Sequence, residues 1–396
     1  RRQRQMCIRD RQNAENAFGQ DFNHDGAVGR AITVIESAGT TSLVTIDGVY
    51  YLMRTSTQAG PALTYGGMPV TVGMFGTWTP IGAEQTANGY EVVWKSGATD
   101  QYQQWDVYGS GEYRSNYTGV MAGSSWIVKT LENTLRQDLN GDGTTGLPTG
   151  PYDIKVNYTG NPGYQIFFDA AAARWEQVIT ADVPDVVNAL YGPIDDLLID
   201  ASVTAIDGVG GILGSAGPDY VRTPSLLPTH GTMQFDSADL ASMVSNGMLF
   251  SVVLHEIGHV LGLGVLWRYL GLSDGAGHYT GTYALAEYRV MSGNASATYV
   301  PLETVGGAGT VGSHWSEATF GNELMTGYIS GIPDPLSSLT IAALRDLGYS
   351  VNMAQAEAYT MPGHVASSGV ASSGTGGSIA SDSAGVVALD VPCLLY

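Results

Sequence analysis

Short apolar runs punctuated by turn residues fill the first part of the chain. Residues 42–53, 91–95 and 126–129 read as strands, rich in β-branched and aromatic residues and separated by Gly-Gly, Asn-Gly and Ser-Gly pairs. Leu147-Pro-Thr-Gly-Pro151 is a breaker-rich linker, after which the rhythm changes. Residues 170–179 read as a helix, and 197–205 and 232–235 as strands. Residues 248–262 form an apolar stretch with helical spacing, ending at Gly262 and Gly264. The Ser/Gly/Ala-rich segment 365–385 has no periodicity and reads as a flexible linker. No run of uncharged apolar residues is long enough to span a membrane.

Composition narrows the classes. The 396 residues carry 17 Lys and Arg against 37 Asp and Glu, a formal charge of −20. Nucleic acid and anionic membranes are poor partners for such a surface. The two cysteines, Cys7 and Cys393, stand at opposite ends, so neither a disulfide framework nor a thiolate metal cluster is expected in the interior. The arginine-rich start, residues 1–11, lacks the apolar core of a secretory signal. Its run Met6-Cys-Ile-Arg-Asp-Arg11 and the closing Pro392-Cys-Leu-Leu-Tyr396 resemble translated sequencing-adapter read-through. A sequence element recurs: Gln20-Asp-Phe-Asn-His-Asp-Gly-Ala-Val-Gly29 is echoed by Gln137-Asp-Leu-Asn-Gly-Asp-Gly-Thr-Thr-Gly146. Such an echo suggests tandem modules within a fragment of a longer chain.

The chemistry concentrates in His255-Glu-Ile-Gly-His259. On a helix two histidines four apart project from one face, one turn apart, which suits two imidazoles on one Zn²⁺. Glu256 then lies beside the metal as a general base. The bland alternative, polar residues on a half-buried helix face, is costly amid Val252-Val-Leu and Val260-Leu. A hydrolytic zinc site needs a third protein ligand and an open position. Val265 stands ten residues after His255, where a short extension would put a third histidine. The remaining candidates are His24, His230, His278, His314 and His364; His278 reads as a surface-loop residue.

Beyond the motif the chain resembles two families. Residues 31–146 are similar to the tryptophan-rich repeat domain of large secreted bacterial proteins, through Pro80-Ile-Gly-Ala-Glu-Gln and Gly89-Tyr-Glu-Val-Val-Trp-Lys. That likeness names a module without supplying a function. Residues 152–352 resemble the leishmanolysin family of metzincin metallopeptidases. The likeness rests on His-Glu-x-x-His-x-x-Gly, a long insertion, Ser313-His-Trp315 and Asn322-Glu-Leu-Met-Thr-Gly327. Supporting stretches are Asp195-Asp-Leu-Leu-Ile-Asp200, Gly231-Thr-Met-Gln-Phe-Asp236 and Leu339–Tyr349.

The resemblance implies an α+β fold: a metzincin-type zinc peptidase domain, with a twisted mixed sheet plus an active-site helix, behind a mainly-β tryptophan-rich module. It implies His255, His259 and His314 as zinc ligands, Glu256 as catalytic base and Met325 as the Met-turn residue under the metal. Eukaryotic leishmanolysins are cysteine-rich, and their latency involves a propeptide thiol. Residues 8–392 hold no cysteine, so neither disulfides nor a native thiol switch is expected here.

The expected organisation is a terminus and repeat tail over 1–30, the module over 31–146, a linker over 147–151, the peptidase over 152–360 and a flexible end over 361–396. The expected function is that of a secreted zinc endopeptidase. Its polypeptide substrate would bind as an extended strand near Gly211-Ile-Leu-Gly-Ser-Ala-Gly217 and 232–235. A rival reading is an extracellular adhesion or matrix protein with a vestigial peptidase domain. Two weaker patterns remain. Asp21, Asn23 and Asp25, and again Asp138, Asn140 and Asp142, match the first half of a calcium loop, but position twelve is Ile32 or Thr149 rather than Glu. Weak calcium binding and simple turn chemistry both fit. Trp78, Trp94, Trp105 and Trp126 fit a core better than a sugar-binding face.

Overall fold

The computed structural model describes residues 20, 32–147, 149–329, 333–363, 385–388 and 393–395. The chain divides into two units at residues 147 and 148.

The first unit is mainly β. Strands β1 (Ile32–Glu36), β2 (Thr41–Ile46) and β3 (Val49–Arg54) form an antiparallel sheet. Its second turn is Asp47-Gly48, both residues at positive φ (52° and 76°), as a tight two-residue hairpin requires. A short hairpin, β4 (Thr64–Tyr65) with β5 (Met68–Pro69), follows. A second sheet is built from β6 (Trp78–Thr86), β7 (Gly89–Ser96), β8 (Gln101–Tyr108), β9 (Tyr113–Ser115) and β10 (Met121–Ala122). Trp94 and Trp105 meet with ring centroids 4.4 Å apart, buried among Leu43, Leu52, Val92 and Val107. These two indoles are core residues.

Residues 126–129 are not a strand. They open helix α1 (Trp126–Leu135), whose N-terminus is capped by the Ser125 hydroxyl accepting from the Val128 amide. Ile127, Val128, Leu131 and Leu135 are buried with helical spacing. Four residues cover barely one turn, too few to tell period 2 from period 3.6.

The second unit packs helices on one face of a mixed sheet. Strands β11 (Ile154–Thr159), β14 (Leu197–Thr204) and β16 (Pro228–Asp236) run parallel, and β15 (Gly214–Thr223) lies antiparallel to β16. A small hairpin of β12 (Val186–Asn188) and β13 (Gly192–Ile194) precedes β14. Helix α2 (Gln165–Val178) starts earlier than expected because Ile166, Phe167 and Phe168 also bury against the sheet. Phe168 meets Phe235 of β16 edge-on at 5.4 Å. Helix α3 (Leu240–Ser245) leads into α4 (Leu249–Val260), and Trp175 of α2 donates its indole N–H to the Leu254 carbonyl of α4 at 2.9 Å.

The rest consists of β17 (His278–Tyr279), α5 (Thr282–Met291), β18 (Val300–Pro301), α6 (Glu317–Phe320) and α7 (Ser338–Leu347). Two further strands, β19 (Gly385–Ala388) and β20 (Cys393–Leu395), both pair with β15. Much of the expected flexible end, together with Cys7, lies outside the described residues. The parts that are described add strands to the sheet instead. An open strand edge presents unpaired amides and carbonyls that any extended segment can satisfy.

Candidate metal centre

Helix α4 is apolar almost all round and buried, with His255 and His259 on one face one turn apart. Their Nε2 atoms are 2.8 Å apart. The helix stops where Gly262 takes φ = 106°, and Gly264 follows at φ = 76°. A Cβ on Gly264 would lie 2.1 Å from the Ser313 carbonyl oxygen, so only glycine lets that segment pass so close. The next residue is His314, whose Nε2 lies 3.2 Å from that of His255 and 3.0 Å from that of His259. A long excursion containing β17, α5 and β18 thus returns to within contact of the helix it left.

Each ring is oriented through its other nitrogen. Nδ1 of His255 faces the Leu324 carbonyl at 2.6 Å, that of His259 the Leu263 carbonyl at 2.9 Å and that of His314 the Thr310 carbonyl at 3.1 Å. A carbonyl only accepts, so Nδ1 carries the proton and Nε2 keeps its lone pair. Three lone pairs then converge with no hydrogen between them, a repulsive arrangement that a cation relieves. Burial holds all three rings neutral, His255 at about 3, His314 at about 4 and His259 well below its ordinary value, and the neighbouring imidazoles push His255 and His259 down further. Three neutral imidazoles with second nitrogens tied to the backbone are a fitting donor set for a divalent transition metal.

Glu256 is fully buried, and neither carboxylate oxygen has a hydrogen-bond partner among the described residues. Desolvation pushes its carboxyl well above the usual range. Gly214 of β15 sits directly against it, since a Cβ there would lie 2.5 Å from Oε1. Met325 packs beneath α4 at Gly258, where a Cβ would meet Sδ at 2.8 Å. The Met325 turn is held by Glu323, which accepts from the Met325 amide at 2.7 Å and from the Ser337 and Thr340 hydroxyls at 2.6 Å each. The same turn supplies the Leu324 carbonyl that orients His255. The linear pattern marked Gly264 only as a helix stop and Glu323 only as part of Asn322-Glu-Leu-Met-Thr-Gly327, and gave Gly258 and Trp175 no role. The pairing of Glu323 with Met325 in Asn322–Gly327 was the available signal.

The other histidines go elsewhere. His230 is buried between Asp219 (Nδ1, 3.0 Å) and Asp200 (Nε2, 3.3 Å) and stacks on Tyr191. His278 lies in β17 beside Asp274 at 2.6 Å, half-exposed rather than free in a loop. Val265 is buried. His24, His364 and the trio Asp21, Asn23 and Asp25 lie outside the described residues. In the second calcium-like loop, Asp138 accepts from the Gly141 and Gly143 amides, Asn140 from Asp142 and Asp142 from Thr144. Those bonds are the turn chemistry of Asx residues.

Comparison with known proteins fits this geometry. Residues 217–373, which contain the three histidines, Glu256 and Met325, match the family model described as leishmanolysin. The second unit is leishmanolysin-like. A leishmanolysin homolog of Crithidia fasciculata is 33% identical over 142 residues, and leishmanolysin of Leishmania donovani is 30% identical over 147. Each alignment covers 33% of this chain but only 21% and 24% of those proteins. This leishmanolysin-like unit follows residues 41–146, which match the tryptophan-rich Synechocystis species C-terminal domain. Among the described residues no helix is long and apolar enough to cross a membrane.

Proposed function

We propose that the second unit is a metzincin-type zinc endopeptidase, occupying about residues 152–360, that hydrolyses peptide bonds in polypeptides outside the cell. The observation carrying this reading is the convergence of the Nε2 atoms of His255, His259 and His314 beside the unpartnered carboxylate of Glu256. Zinc bound there supplies a Lewis acid that polarises the scissile carbonyl and acidifies water. Glu256, one residue from a ligand, accepts the proton of the attacking water and delivers it to the leaving amine. His255, His259 and His314 stay neutral through the cycle, their Nδ1 protons held by backbone carbonyls. Met325 packs against Gly258, the residue of α4 just before His259. The substrate lies extended along β15 near Gly214, and residues 393–395, which pair with Gly214–Ala216, must leave that edge for it to do so.

Casein digestion with and without a chelator, alongside zinc analysis, tests the reading. One zinc per chain and chelator-sensitive cleavage are expected. Glu256→Gln should keep the zinc and lose at least about a hundredfold in turnover, the usual range for a general base. Zinc bound without cleavage would favour the adhesion or matrix reading, against which the intact Glu256 counts.

A further inference from the structure

Gly231 of β16 faces α4, since a Cβ there would lie 2.5 Å from Cγ1 of Val260, so its neighbours His230 and Thr232 point to the reverse face of the sheet. Leu198 and Asp200 of β14 stand opposite them in register, and Lys155 and Asn157 of β11 continue the two rows. Asp200 lies between the Asn157 side-chain amide at 3.1 Å and Nε2 of His230 at 3.3 Å. The β12–β13 hairpin folds over this face. Tyr191, in its turn, pins it there by stacking on His230 with ring centroids 3.7 Å apart. Between the hairpin and the strands lies a cavity of about 480 Å³, on the opposite face of the sheet from α4.

The cavity wall carries Asp153, Asp195, Asp196 and Asp200 against Lys155 as its one cation. Asp196 is committed, since it accepts the Asp153 and Val183 amides, whereas Asp153, Lys155 and Asp195 are exposed. Asp182 and Asp185 add to the charge, each with a carboxylate oxygen within 4.8 Å of one on Asp195. The hairpin supplies an apolar flank, with Leu190 74% exposed. A second observation is independent of charge. Among the described residues no strand pairs with the outer edge of β11. Leu197 donates to the Asp153 carbonyl, so by the alternation of a parallel ladder the main-chain groups of Ile154, Val156 and Tyr158 turn to that outer edge. There the Ile154 amide meets the Glu176 carboxylate at 2.9 Å rather than a strand. An open edge takes an extended polypeptide through main-chain hydrogen bonds. Acidic walls favour basic side chains, whose apolar stems suit the hairpin flank. We propose that the β11 edge and this cavity form a docking surface for an extended polypeptide segment rich in Lys or Arg. It is a second binding surface, across the sheet from the active-site helix, and it does not depend on the peptidase reading.

The test uses the zinc-loaded full chain carrying Glu256→Gln, so that a bound peptide is not cleaved, and follows the fluorescence anisotropy of two short labelled peptides. One alternates Lys with Thr, and the other has Glu in place of Lys. The Lys peptide should bind and the Glu peptide should not, with binding falling as salt rises. Asp195 and Lys155 are exposed, so reversing either charge leaves the core intact. Asp195→Lys should weaken binding at least about fivefold, and Lys155→Glu should strengthen it by a similar factor. Hydrogen exchange at the Val156 and Tyr158 amides should slow in the complex, as main-chain pairing requires. Binding of the Lys peptide that ignores both substitutions would place it elsewhere and overturn the proposal. Absence of binding overturns it too, as does spermine binding as tightly as the peptide with no slowing of those amides. A wild type that binds the Lys peptide in this way but cleaves no casein supports the docking surface and counts against the peptidase reading alone.

Discussion

Gly264 lets the Ser313–His314 segment approach the end of α4. Its φ of 76° and the 2.1 Å approach of the Ser313 oxygen to its missing Cβ leave no room for a side chain. Alanine there would add the strain of a left-handed backbone, about 1–2 kcal/mol, and push the Ser313–His314 segment outward. Gly264→Ala should therefore weaken zinc binding by roughly 10- to 100-fold, in the range of lost outer-shell support. A competition titration against a zinc chelator measures it, and an affinity equal to wild type would refute the role. Glu256 shows the converse economy. Among the described residues no donor reaches its carboxylate, which on the proposed reading leaves both oxygens free to take a proton from water.

Helix α4 packs against β15 and β16, and Asp236 at the end of β16 ties that strand to its neighbouring loops. Its carboxylate accepts the amides of Ile206, Asp207 and Gly208 from the loop after β14, and that of Ala238. Those bonds favour the ionised form and lower its pKa from 3.8 to about 2. A carboxyl depressed by folding stabilises the native state above its unfolded pKa, and the benefit is lost as pH falls through the folded value. Asp236→Asn should lower the thermal midpoint most at neutral pH. The difference from wild type should shrink below about pH 4 and vanish only below about pH 2. A difference constant with pH would mean that charge plays no part. Helix α1 carries a related lesson. Residues 126–129 look like a strand until Ser125 and the apolar positions out to Leu135 are taken together.

The two units make different demands on metal. The first is closed by an aromatic core around Trp94 and Trp105 and holds no histidine among its described residues. The second gathers three buried imidazoles that only a cation reconciles. On the proposed reading zinc binds only the folded second unit, so saturating metal should stabilise it by about 3–4 kcal/mol at 100- to 1,000-fold excess over Kd. In calorimetry a chelator should lower one transition and leave the one belonging to the first unit in place. Equal movement of both transitions, or of neither, would contradict this.

Local periodicity was enough to place His255 and His259 together, because a helix relates residues four apart whatever surrounds it. The order of Ser-His-Trp and Glu-Leu-Met pointed to His314 and Met325 through a resemblance, not through spacing. Their contact with α4 depends on a close approach at Gly264 and on Glu323 bracing the Met325 turn, relations between residues far apart in the chain. The same limit hid the pairing of residues 385–388 with β15, which a composition rich in Ser, Gly and Ala disguised as a linker. A short-range pattern records which way a side chain points from its own helix or strand. What that side chain meets, and whether a buried charge finds a partner, is set when distant segments pack.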